Sequence, residues 1–72
     1  MIETCWRCRT PRGALLSCWI VRHVLGYQVH VGYGQGDIIG SDVTEDLDDA
    51  RQLARVYRAG FAAEGFRDAS YQ

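Results

Sequence analysis

The chain has 72 residues, 47% of them apolar and 24% charged, and a formal net charge of −1. These proportions are globular and exclude disorder over most of the length, although a domain this short buries only about 60% of the surface its unfolded chain exposes. No overall field draws the chain toward nucleic acid or an anionic membrane. No run approaches the ~18 apolar residues of a membrane span, and the N-terminus lacks an apolar signal core, so the expected setting is cytoplasmic with no membrane partner.

Residues 1–14 carry Arg7, Arg9 and Arg12 against Glu3 and are broken by Pro11 and Gly13. That composition predicts an irregular or flexible basic N-terminal arm, followed by a single α+β domain over residues 15–72. Residues 15–24 are aliphatic and β-branched and predict a strand, with Leu25-Gly26 as the turn after it. Residues 27–33 alternate cleanly, with Tyr27, Val29, Val31 and Tyr33 on one face and Gln28, His30 and Gly32 on the other. The sequence Gly34-Gln35-Gly36-Asp37 reads as a turn, and Ile38-Ile39 as a short third strand. Strands adjacent in sequence usually pair, which gives an antiparallel order 1-2-3.

Residues 41–45 read as a loop into a helix, with Thr44 or Asp46 as N-cap and Asp46 with Asp49 loosely imitating a capping box. From Leu47 the apolar positions Ala50, Leu53, Ala54, Tyr57 and Phe61 recur every three or four residues, one face of a helix over residues 47–64. Acidic side chains come first and Arg51, Arg55 and Arg58 later, as the helix dipole favours. Gly65 suits the left-handed position after a helix, with Phe66 packing back on Phe61. Gly60 weakens the last turns, and residues 67–72 are either frayed or a short edge strand. The expected fold is thus α+β, a small antiparallel β-meander of two to three strands packed against one C-terminal amphipathic helix, in βββα order.

All eight basic residues are arginine, which suggests a GC-rich bacterial or phage genome. Arginine also contacts carboxylates and phosphates with planar, bidentate geometry.

Cys5-Trp6-Arg7-Cys8 is a C-x-x-C pair, with Cys18 ten residues on. Adding His30 gives a Cys3His set of the kind that holds structural zinc, and a metal would offset a thin core. His23 is the poorer fourth ligand, because alternation puts it on the opposite strand face from Cys18. A thioredoxin-type pair needs a helix right behind it, which Pro11 and Gly13 argue against. The simpler reading keeps Cys5 and Cys8 as reduced thiols and Cys18 as a small buried apolar residue. Two imidazoles, no nucleophile elbow and no facing carboxylates point away from an enzyme. The glycine run at residues 32–36 lacks the Lys-Ser/Thr of a phosphate loop and reads as a hairpin.

Arg51, Arg55 and Arg58 make a basic stripe at i, i+4 and i+7. Six carboxylates fall within thirteen residues, from Asp37 through Asp42, Glu45, Asp46 and Asp48 to Asp49. Trp6, Trp19, Tyr27, Tyr33 and Tyr71 exceed what a thin core encloses, and aromatics are over-represented at interface hot spots. The first expectation is therefore a non-enzymatic protein-binding module that docks on a larger protein or nucleoprotein complex. Its contacts would be Asp42, Glu45, Asp46, Asp48 and Asp49 with Trp6 and Tyr33. One concrete form is an inhibitor that blocks a nucleic-acid-binding surface, as phage anti-CRISPR proteins do, an analogy of size and charge alone. The alternative is a zinc-stabilised nucleic-acid binder using Cys5, Cys8 and Cys18, with Arg51, Arg55 and Arg58, joined by Arg7, Arg9 and Arg12 of the arm, on phosphate. An open sheet edge also offers a route to a homo-oligomer.

Overall fold

Ladder pairing builds more sheet from this sequence than its alternation announces. The computed structural model describes residues 2–34 and 36–69. Its elements in chain order are β1 (Glu3–Arg9), β2 (Leu15–His23), β3 (Gly26–Gly32), β4 (Ile38–Thr44), α1 (Leu47–Ala63) and β5 (Arg67–Asp68). The strands form one sheet in the order β4-β3-β2-β1-β5, with every neighbouring pair antiparallel. The α+β class and the single C-terminal helix agree with the sequence, but the sheet has five strands where two to three were expected.

The largest correction falls on residues 1–14. Residues 3–9 of the expected arm are strand β1, paired with β2 from Glu3 opposite Ile20 to Arg9 opposite Leu15. The register shifts between Thr4 and Trp6, so Cys5 is an extra residue that breaks the period of two by which a strand is recognised. Pro11 and Gly13 shape the β1–β2 hairpin, closed by a Thr10 N–H to Ala14 carbonyl bond of 2.9 Å. The second correction is β4, which runs seven residues where Ile38-Ile39 alone was expected. Gly40, Ser41 and Asp42 are poor strand formers, but pairing with β3 supplies what local propensity does not, across another irregularity beside Val31 and Gly32. In the tail, Arg67 and Asp68 pair with Arg9 and Cys8; Tyr71 lies outside the described residues.

The helix starts where its cap chemistry dictates. Asp46 is the N-cap, its Oδ1 accepting the Asp48 N–H at 2.9 Å. At the other end Gly65 has φ +93°. The Gly65 N–H reaches the Ala62 carbonyl and the Phe66 N–H reaches that of Phe61, the paired bonds of a Schellman cap. The Phe61 and Phe66 rings lie 5.0 Å apart, the apolar contact that accompanies this cap.

The core forms between one sheet face and the small side of α1. Leu16, Cys18, Ile20, Val29, Val31 and Cys8 are fully buried against Ala50 and Ala54. Alanine on the helix lets it sit low on the sheet, and each large aliphatic side chain so buried contributes roughly 1.5–3 kcal/mol. Two polar contacts fix the helix along and across the strands. The Trp6 indole donates to the Ala54 carbonyl at 2.8 Å, and the Tyr57 hydroxyl, packed beside Gly40, donates to Asp42 at 3.0 Å. No described helix is long and apolar enough to cross a membrane.

Candidate functional site

Strand register sorts the remaining side chains onto two unlike faces. Leu16, Cys18 and Ile20 point toward α1, so their neighbours Leu15, Ser17, Trp19 and Val21 point away from it. Through the ladder the same outward face takes Arg7 and Arg9 from β1, His30 from β3 and Arg67 from β5. No helix or strand among the described residues packs on that face.

Charge follows this division. None of the nine carboxylates occupies an outward strand position. Glu3 and Asp42 face the helix, where they bond Arg51 and Tyr57; Asp68 pairs with inward Cys8, and the rest belong to turns and to α1. Arg7, Arg9 and Arg67 are all exposed on the outward side. Arg51 forms ion pairs with Glu3 at 2.8 Å and with Asp48 at 3.8 Å, both on the helix side. Among the described residues no outward strand position brings a carboxylate to these arginines, and Arg9 Nη1 donates to the Gly13 carbonyl at 3.0 Å. Arg9 and Arg67 are direct cross-strand partners, and like charges so placed repel.

Beside the arginines, His30 leans on Trp19 with ring centroids 5.5 Å apart. Trp19 is 7% exposed, so the half-buried imidazole is the accessible member of the pair. Burial pushes the His30 pKa down, which keeps the ring neutral at pH 7. Its Nδ1 has no hydrogen-bond partner among the described atoms.

The carboxylates expected to bind a partner gather at the start of α1, with different commitments. Glu45, Asp48 and Asp49 are exposed, Asp46 caps the helix, and Asp42 accepts from Tyr57. Trp6 is half-buried and held by its bond to Ala54. Tyr33 is exposed, but it follows β3 at the far end of β4 from the helix entrance, about 20 Å away for a seven-residue strand. The helix stripe also divides: Arg51 is held by Glu3, Arg55 is exposed, and Arg58 is half-buried with Nη1 unpartnered.

The sheet separates the expected zinc ligands. Cys5 and Cys18 lie on the helix side with their side chains hydrogen-bonded, and Cys8 is buried on that side too. His30 pairs with Trp19 and Cys18 with Val31, so His30 and Cys18 point to opposite faces. Among the described residues no three of Cys, His, Asp and Glu converge as a metal site would require. Burial pushes the Cys18 pKa up to about 12 and raises those of Cys5 and Cys8, as small buried thiols of a core behave. The set does not fit zinc. His23, for its part, accepts the Leu25 N–H at Nδ1 and stiffens the β2–β3 turn. Two shallow depressions of about 210 Å³ flank β1, lined around Cys5 and Trp6, and neither includes an imidazole.

Arg7 and Arg9 were expected on a loose arm beside the helix stripe; that they share an outward sheet face with Arg67 and His30 is what the sequence reading missed. The signal for that face was Arg7 and Arg9, two apart around Cys8, the spacing of a strand with one wet face. Compared with protein-family models, with curated proteins and with solved structures, the chain matches none.

Proposed function

We propose that the protein is a non-enzymatic binding module that docks on a larger protein or nucleoprotein complex through the carboxylates at the entrance to α1. The observation that carries this reading is the exposed set Glu45, Asp48 and Asp49, ordered around a formed N-cap. Fixed backbone beneath the charges lowers the entropy lost on docking, so a basic partner surface meets a preorganised acidic one. Exposed charges of this kind act chiefly on the association rate and on partner choice.

The test leaves Asp46 in place, because it caps the helix. A Glu45→Lys, Asp48→Lys, Asp49→Lys variant and the parent chain are used to capture partners from the native host, with the helix checked by circular dichroism. The reading expects a partner retained by the parent and lost by the variant, with weaker capture as salt rises. Equal capture by both chains contradicts it.

A further inference from the structure

We propose that the outward sheet face is a binding surface for single-stranded nucleic acid, with Arg7, Arg9 and Arg67 on the phosphates and His30 beneath a base. It lies across the sheet from α1 and does not depend on the acidic helix entrance.

Arg9 and Arg67 sit opposite one another in the β1–β5 ladder, which puts their Cβ atoms about 5 Å apart on one face. Arg7 follows two residues along β1 on the same side. Among the described residues no carboxylate stands on this face beside the neighbouring guanidinium groups, and a polyanion would offset their repulsion. Guanidinium is matched to phosphate because its planar fork donates two parallel bonds.

The polar side chains around this cluster choose among polyanions. Ser17 separates Arg7 from Trp19 on the outward face, and Ser41 pairs with His30. His30 sits two strands over and one outward position along from Arg7, about 12 Å between Cα atoms at ordinary strand spacing and rise. That separation lets a base rest on the imidazole while a phosphate of the same strand meets Arg7. A neutral ring backed by Trp19 offers a π-face suited to stacking, which every base can use and an acidic peptide cannot. A duplex hides those base faces, so the single strand is the form that fits.

Fluorescence anisotropy of a labelled oligothymidylate tests this, with the unlabelled oligothymidylate, its duplex with oligoadenylate and polyglutamate as competitors. Binding is expected at low salt, with a log–log salt slope of about −2 from three phosphate contacts on a single strand. Arg7→Gln/Arg9→Gln/Arg67→Gln should weaken it tenfold or more and flatten the slope. His30→Ala should weaken it by about fivefold or more at an unchanged slope. Arg55→Gln, an exposed arginine on the helix side, should leave it unchanged. Thermal melts confirm that each variant folds. No anisotropy change up to about 100 µM protein at low salt overturns the proposal. So does an Arg55→Gln effect equal to that of the triple variant, or competition by polyglutamate or duplex as strong as by the single strand.

Discussion

Replacing Gly26 by Ala should destabilise the domain strongly, whereas the same change at Gly60 should stabilise it. Gly26 opens β3 with φ +138°, a conformation L side chains rarely adopt. A Cβ there would press on the Thr44 carbonyl and come within 2.8 Å of the Glu45 Cα, backbone that also leads into the helix cap. Strain of about 1–3 kcal/mol and overpacking of about 1–3 kcal/mol are offset by under 1 kcal/mol from the stiffer unfolded chain. The net loss is roughly 2–5 kcal/mol, against a stability on the order of 4–11 kcal/mol for a chain of this length. A Cβ at Gly60 meets nothing within 4 Å, so that substitution should gain about 0.5–1 kcal/mol from helix propensity alone. Urea melts followed by far-ultraviolet circular dichroism read both variants, with each kcal/mol worth about 4–8 °C in a parallel thermal melt. A Gly26→Ala protein within about 0.5 kcal/mol of the parent would refute the close approach of β3 to the β4–α1 junction.

Three further outcomes follow from named contacts. Asp46→Ala should cost about 1 kcal/mol through loss of the bond to the Asp48 N–H, while Asp46→Asn should stay near the parent in the same urea melts. With Ellman's reagent at mildly alkaline pH, Cys5 should react slowly and the fully buried Cys8 and Cys18 only on unfolding; three fast thiols would contradict the packing. Stability should fall with pH in two stages. His30 is held below its usual 6.5 by burial, so below that pH the unfolded chain takes up the proton first and gains. Glu3 is held below its usual 4.5 by its bond to Arg51, so its contribution is present above 4.5 and lost as pH falls through the lower, folded value. The urea midpoint should drop on acidification, with His30→Gln flattening the upper stage; a midpoint that rises would contradict both assignments.

What the sequence made legible was decided by whether a local rule or a pairing rule governs each segment. The helix was readable because spacing, N-cap and Schellman residues all lie within 20 positions of one another and agree. β2 and β3 were readable because their inward residues are large and aliphatic. β1 was hidden by the extra residue at Cys5, which turns an in-out rhythm into an apparent polar arm. β4 was hidden because an edge strand can be polar when its neighbour supplies the hydrogen bonds. The same limit governs the site residues. That Cys18 faces away from His30 depends on the β2–β3 register, which the two-residue turn at Val24-Leu25 fixes and composition does not reveal. The basic face needed β5 as well, since Arg67 joins Arg9 only through a pairing that spans the chain from end to end.

The central claim is the division of charge between an acidic helix entrance and a basic outward sheet face. Amide relaxation by two soluble paramagnetic probes, one anionic and one cationic, measures that division directly at physiological ionic strength. The account predicts that the anionic probe broadens Arg7, Arg9 and Arg67 more than the cationic one, and that the order reverses at Glu45, Asp48 and Asp49. Equal broadening by both probes at the two ends would contradict it.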